Sequence, residues 1–210
     1  LSKTLDASGT GGAINKLDAG TLAANTWYAI WLIVDTGTSE PYGQTPIFNT
    51  LLSTNFTTPV LTWGAYDKAI RIGAVRTKSG LIEFRQFQQS NNIVYYNNSS
   101  VVDAPNDADC KVLTAGASTD FTAITSLNLS VVYNGTNYLA KDIRVLSNLT
   151  SGTNAYVVPN GANASIVGTK LNASTGWSRT EVAISSTGLN YKGGTTSTID
   201  LYVLGYTDNI

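Results

Sequence analysis

Residues 25–34, with the sequence NTWYAIWLIV, form the longest apolar run of the chain and contain two of its four tryptophans. Because side chains alternate across a β-strand, both faces of this run are apolar. The first face carries Trp27, Ala29, Trp31 and Ile33, and the second carries Tyr28, Ile30, Leu32 and Val34. An antiparallel sheet in a single sandwich usually leaves one face in water, so the second face needs cover from another layer or from a second subunit. We therefore predict an oligomer interface at Tyr28, Ile30 and Leu32.

The rest of the chain has the pattern of short strands separated by Gly, Asn or Pro turns, and no stretch has a convincing 3.6-residue period. The turn at Lys78, Ser79 and Gly80 predicts a β-hairpin over residues 69–88. Further strands are expected at CKVL (110–113), LNLSVVYNG (127–135), DIRVLSNL (142–149), NASIVGT (163–169), WSRTEVAIS (177–185) and TIDLYVLGY (198–206). The pattern predicts an all-β fold, an antiparallel β-sandwich with a jelly-roll-like arrangement. A β-helix or propeller is the less favoured alternative, since the chain has no strict internal repeat.

The composition along the chain suggests its domain organisation. Residues 1–24 are rich in Gly, Ser and Thr and are expected to form a flexible lead or linker. Residues 25–210 are then the β-sandwich domain. If that domain is divided, the turn-rich stretch at residues 103–110 is where we expect the division.

Charge and composition exclude several classes of function. Only 13% of the 210 residues are charged, the net charge is -1, and no basic stripe suited to phosphates is present. Nucleic acid is therefore not an expected partner, and the apolar runs are too short for membrane insertion. The chain has no histidine, which excludes Ser-His-Asp and Cys-His catalysis and imidazole metal ligands. Cys110 is the only cysteine, so no disulfide forms within the chain, and we expect it to be buried.

Carboxylates are the remaining candidates for chemistry. Glu83 and Glu181 could form a glycosidase pair, but nothing in the sequence brings them together, and outward carboxylates on a sheet are usually solvated or paired with cations. The oxygen-rich run with Asp103, Asp107 and Asp109 lacks the central Gly and terminal Glu of a helical calcium loop. We interpret it as a solvated turn and a weak metal candidate. The chain is therefore expected to be no enzyme and to need no cofactor.

Aromatic residues near predicted loops are candidates for ligand binding. A flat ring flanked by amide groups can hold a sugar by its apolar face while the amides bind its hydroxyls. The alternative for each ring is packing in the core or at an interface. The candidate ligand-binding residues are Tyr42, Trp63, Tyr66, Tyr95, Tyr96 and Trp177.

Several segments together resemble the β-rich C-terminal domains of bacteriophage and prophage tail-fibre and other virion structural proteins. The matching pieces are LAANTWYAIWLI, LLST with the following Pro59, GAYDKAIRIGAVRT, the turn into FRQF, and IDLYVLGYTD. This resemblance covers residues 17–88 and 199–208. It implies a virion location, a β-sandwich and frequent homotrimerisation, and it carries no set of catalytic residues.

These observations favour a non-enzymatic module of the virion surface, in a tail fibre or related appendage, that recognises a polysaccharide of the host cell surface. One alternative is a structural role, as a capsid decoration or head fibre, in which the apolar faces form subunit contacts. Another is an accessory module of a carbohydrate-active enzyme. The expected partners are copies of the same chain, as a trimer, and either host polysaccharide or other virion proteins.

Overall fold

The computed structural model describes residues 17–36, 47–61, 66–78, 80, 83–96, 110–161, 169–172, 175–194 and 196–210. These residues form antiparallel sheets, two of which pack together within one compact unit, and their single helix is a short 3-10 turn. This confirms the predicted all-β sandwich. The finer expectation of a jelly-roll order of strands stays a prediction.

The strands, in chain order, are β1 (Trp27–Asp35), β2 (Ile47–Ser53), β3 (Lys68–Arg76), β4 (Phe87–Ser90), β5 (Ile93–Tyr96), β6 (Lys111–Gly116), β7 (Thr122–Ala123), β8 (Ala140–Ser151), β9 (Ala155–Pro159), β10 (Thr169–Asn172), β11 (Gly176–Ala183), β12 (Leu189–Gly193) and β13 (Thr198–Asp208). The 3-10 helix, Leu127–Leu129, lies where the sequence predicted a strand. There the backbone bonds locally, since Leu129 N–H donates to Ser126 O at 3.1 Å. This segment buries Leu127, Val131 and Val132, and its strand pairing is an isolated antiparallel bridge between Tyr133 and Tyr138.

The chain divides into two compact units, the first comprising residues 1–85 with residue 210 and the second residues 86–209. The division therefore falls at Arg85 and Gln86. Residues 103–109, where we expected any division, lie outside the described residues.

In the first unit, β1 lies between β2 and β3 in an antiparallel sheet. One face of β1 forms the core, where Ala29, Trp31 and Ile33 are buried together with Leu51. Tyr66 is partly buried against the same cluster. The first face of NTWYAIWLIV, which carries Trp31, is thus covered within the first unit.

A polar connection holds the start of this unit against the end of β3. The buried Thr77 hydroxyl donates to Ala23 O at 2.7 Å and accepts from Thr26 N–H at 2.9 Å. Leu17 and Leu22 are buried, and Asp18 N–H donates to Leu52 O at 2.8 Å. Residues 17–24, the end of the stretch predicted as a flexible lead, thus contact the first unit through apolar burial and backbone bonds. Residues 1–16 lie outside the described residues, and the flexible lead stays a prediction.

The hairpin predicted over residues 69–88 is shorter than expected. Thr77 and Phe84 form an antiparallel bridge, and Arg85 N–H donates to Arg76 O at 2.8 Å. Strand β4, however, pairs with β5 and belongs to the second unit. The turn therefore closes only the first few pairs of the predicted hairpin.

The second unit contains two sheets. The larger has the order β11-β8-β13-β5-β4, with β6 also paired to β13, and the smaller has the order β10-β9-β12-β7. Strands β9 and β10 lie against β8 and β11. Strand β13 is the centre of the larger sheet, because it pairs with β8 along one edge and with both β5 and β6 along the other.

The face of the larger sheet that turns inward is apolar. Val145, Leu149 and their cross-strand partners Val203 and Ile199 are all buried. Cys110 is buried as predicted, and its carbonyl accepts from Val203 N–H at 2.8 Å. The opposite face of this sheet carries the polar and aromatic residues considered next.

Candidate functional site

The outer face of the larger sheet is defined by the strand register. Residues that pair directly across antiparallel strands point to the same face, and so do residues two apart along one strand. Trp177, Asn148 and Asp200 form one such transverse row. The parallel rows beside it are Arg179, Leu146, Tyr202 and Lys111, then Glu181, Arg144, Gly205 and Tyr95. We call these three rows the outer face.

An aromatic pair joins the first two rows of the outer face. The ring centroids of Trp177 and Tyr202 are 5.8 Å apart and the rings are tilted by 40°. Tyr202 is buried, whereas the Trp177 side chain is 41% exposed. Lys111 is on β6, across β13 from β8, and its Nζ lies 5.4 Å from the Tyr202 ring centroid. Tyr202 is therefore the buried member of the pair, and the Trp177 indole that packs against it is open to solvent.

Asp200 ties β6 to β13 beside this pair. Its Oδ2 lies 3.0 Å from Lys111 Nζ, and its Oδ1 accepts from Ala115 N–H at 2.8 Å. Burial alone would lower the pKa of Lys111, but the hydrogen bonds to Asp200 and Tyr202 and the charge of Asp200 outweigh it and raise the pKa. Lys111 therefore stays charged and fixed at neutral pH.

The third row contains a second aromatic and cation pair. Arg144 Cζ lies 5.1 Å from the ring centroid of Tyr95, and Arg144 Nη2 lies 3.4 Å from Glu181 Oε1. Gly205 lies between Arg144 and Tyr95 in this row. Because Gly205 on β13 has no side chain, the Arg144 guanidinium on β8 can reach across β13 to the Tyr95 ring on β5. Tyr95 itself is 44% exposed.

The structure brings two of the predicted ligand-binding residues, Tyr95 and Trp177, to one face of one sheet. Tyr96 is buried instead: its hydroxyl donates to Ser130 O at 2.5 Å, and its ring lies 6.2 Å from that of Tyr206. Tyr66 packs against the core of the first unit and its hydroxyl bonds the Asn49 side chain. These two rings are structural, so neither can serve as an open platform. Tyr42 and Trp63 lie outside the described residues.

The predicted interface residues differ among themselves. Tyr28 is 0% exposed and its hydroxyl accepts from Ala23 N–H at 2.7 Å, so it is part of the interior of the first unit and cannot contact a second copy. Ile30 and Leu32 are half-buried. The register places Leu32 beside Ile70, which is 59% exposed.

The carboxylate candidates are separated between the units. Glu83 lies 3.0 Å from Lys78 Nζ in the first unit, and Glu181 pairs with Arg144 in the second. Among the described residues, no group of three or more His, Cys, Asp or Glu side chains could hold a metal ion. Asp103, Asp107 and Asp109 lie outside them.

Sequence reasoning missed Lys111, Asn148, Asp200 and Tyr202. The alternation in TIDLYVLGY does place Asp200 and Tyr202 on one face, and that signal could have identified them. The pairing of β6 with β13 is not visible in the sequence, because Lys111 and Asp200 are 89 residues apart.

Comparisons with protein-family models, with curated proteins and with solved structures find no match to this chain. In the described part of the chain, no helix has the length and apolar character needed to cross a membrane.

Proposed function

We propose that this chain is a non-enzymatic carbohydrate-binding module of a virion appendage and that the outer face binds a polysaccharide of the host cell surface. The exposed Trp177 indole, supported from below by Tyr202, carries this proposal. An aromatic face removes the apolar CH groups of a sugar ring from water, while nearby polar groups bind its hydroxyls.

The polar groups that this binding mode needs lie beside the indole. Asn148 is the direct neighbour of Trp177 in the first row, and Asp200 follows it. Arg179 lies two residues from Trp177 on the same face and is exposed. Amide, carboxylate and guanidinium groups together can both donate to and accept from sugar hydroxyls.

The rigidity of the face also supports binding. These residues project from paired strands, and both Lys111 and Arg144 are held by ion pairs. Side chains that are ordered before binding lose less conformational entropy when a ligand arrives. The virion location rests on the resemblance of the sequence segments to tail-fibre domains.

Glycan arrays and host-cell adsorption with the isolated protein test this proposal. We expect binding that Trp177→Ala weakens at least about tenfold, as expected for a lost aromatic platform. Phe121→Ala is the matched control, because Phe121 lies 5.7 Å from Lys192 Nζ in another aromatic and cation pair away from the outer face. Blank arrays together with absent adsorption would refute the proposal, as would equal binding by the two variants.

A structural role is the second candidate, and the second face of the first unit favours it. Phe48, Ile70 and Ile72 are 43%, 59% and 38% exposed. If copies of the chain form a trimer through this face, Ile70→Lys will produce monomers in light scattering, while Val60→Lys, at an exposed residue outside the strands, will not. A wild-type protein that is already monomeric would remove this role.

The accessory-module alternative predicts cleavage by an attached enzyme and none by this chain. Incubation with host polysaccharide should release no new reducing ends. Release that disappears in Glu181→Gln would contradict the non-enzymatic proposal.

A further inference from the structure

The second unit also contains a cleft of about 500 Å³ between β6 and β7. One wall is the edge of β6 that faces away from β13, and no other strand among the described residues pairs with β6. The other wall consists of β7 and the residues after it, and Tyr191 of the smaller sheet contributes its ring. This volume is within the range of small-molecule sites in proteins.

Both walls are fixed by hydrogen bonds before any ligand binds. The Asp200 carboxylate joins Lys111 and Ala115, which lie at the two ends of the β6 wall. On the other wall, Thr122 Oγ1 lies 2.7 Å from Ser118 Oγ, and Ile124 N–H donates to Leu189 O at 2.9 Å. The cleft is therefore preformed.

The lining is rich in hydroxyl groups, which come from Thr114, Thr122, Thr125 and Ser126. The one charged side chain among the described lining residues is Lys111, and no carboxylate is among them. Such a lining favours a neutral or anionic polyol over a cation.

Lys111 connects the cleft to the outer face, because it lines the cleft and also contacts Asp200 and Tyr202. Trp177 lies three strand spacings from β6, or about 14 Å, which is a distance that several linked sugar residues span. We propose that the cleft is a second subsite for the same polysaccharide, so that the glycan runs from Trp177 over Lys111 into the cleft. This inference rests on the proposed function of the outer face.

A peptide that adds as a further strand to the edge of β6 is the competing occupant. The β6 backbone is poorly suited to it. The pairing of β6 with β13 shifts register twice, and Ala115 has a left-handed φ of 47°. A regular ladder needs several consecutive extended residues, which this edge does not offer.

Amide NMR with matched saccharides of two lengths tests the subsite. The probes are glucose and isomaltohexaose, N-acetylglucosamine and chitohexaose, and galacturonate and hexagalacturonate. The reporters are the indole N–H of Trp177 and the backbone amides of Thr114 and Thr122. For the type of sugar that binds, we expect the monosaccharide to shift the Trp177 indole signal alone. The hexasaccharide should shift this signal and the amide signals of Thr114 and Thr122.

Thr125→Trp provides the second measurement, because it fills the cleft from an exposed position without removing a hydrogen bond described for that side chain. It should weaken hexasaccharide binding about tenfold, as expected for one or two lost hydrogen bonds, and leave monosaccharide binding unchanged. Thr136→Trp is the control, at an exposed turn away from the cleft.

The outcomes separate the two proposals. A hexasaccharide that moves only the Trp177 signal and binds Thr125→Trp normally overturns the subsite and leaves the proposed function standing. Cleft amides that respond to a hexapeptide of alternating threonine and valine, but to no saccharide, overturn it in favour of strand addition. If no saccharide or peptide shifts the Trp177 signal and the glycan arrays are blank, both the subsite and the proposed function of the outer face are overturned.

Discussion

Replacement of Asp200 tests the link between the outer face and the cleft wall. Its carboxylate, with a side chain only 16% exposed, pairs with Lys111 at 3.0 Å and accepts from Ala115 N–H at 2.8 Å. Asp200→Asn keeps an oxygen for Ala115 but loses the ion pair, which is worth about 1 kcal/mol near a protein surface. Asp200→Ala also loses the charge-assisted hydrogen bond, which adds about 1.5–3 kcal/mol. We therefore expect losses in the free energy of unfolding of about 1 kcal/mol for Asp200→Asn and roughly 2.5–4 kcal/mol for Asp200→Ala.

Urea unfolding followed by the Trp177 indole N–H signal reports on the second unit and measures both losses. Asp120→Ala is the control, because Asp120 is exposed in the same unit and should change the free energy by less than about 0.5 kcal/mol. Equal losses in Asp200→Asn and Asp200→Ala would refute the reasoning, since they would show that the bond to Ala115 contributes nothing.

Three further predictions concern pH, the first unit and the outer face. The raised pKa of Lys111 favours folding below its ordinary value of 10.5, and this stability is lost as the pH rises through the raised pKa; burial likewise raises the pKa of Tyr138 from 10.0 to about 12. Alkaline unfolding followed by circular dichroism should therefore be less steep in Lys111→Met and in Tyr138→Phe, and unchanged steepness in both would contradict the linkage. Tyr28→Phe should cost about 1 kcal/mol and Tyr28→Ser about 3–5 kcal/mol in urea unfolding, because the second leaves a cavity. Neither should alter the light-scattering mass, and a change in mass without a loss of stability would show that Tyr28 faces a second copy. Gly205→Ala should cost roughly 1–3 kcal/mol, because its Cβ would overlap the Val94 carbonyl, and an unchanged melting temperature would show that β5 can move away.

The strands that the sequence predicted best are those rich in β-branched and aromatic residues. NTWYAIWLIV, WSRTEVAIS and TIDLYVLGY all form strands. LNLSVVYNG has a similar apolar content but begins with a 3-10 turn, because the N–H groups of Ser130 and Val131 donate to Leu127 O; its Tyr133 forms an isolated bridge with Tyr138. Composition alone did not reveal this competition.

Strand partners are set by contacts distant in sequence, which explains the other differences. The predicted hairpin over residues 69–88 does not continue beyond Arg85, because β4 pairs with β5. Of the site, the sequence identifies Tyr95 and Trp177 as candidates, because they are aromatic residues near predicted loops. Their placement on one face depends on two intervening strands, and no local pattern specifies that order.

The position of β13 has a consequence for synthesis. This strand fills the centre of the larger sheet and pairs with β5, β6 and β8, yet it is translated after all of them. The first unit can form its sheet once its own residues have left the ribosome, because β1, β2 and β3 are all early. The larger sheet of the second unit must remain without its central strand until Asp208 emerges. During that interval the edges of β5 and β6 that pair with β13 are open, so the nascent chain is most exposed to aggregation until β13 has been translated.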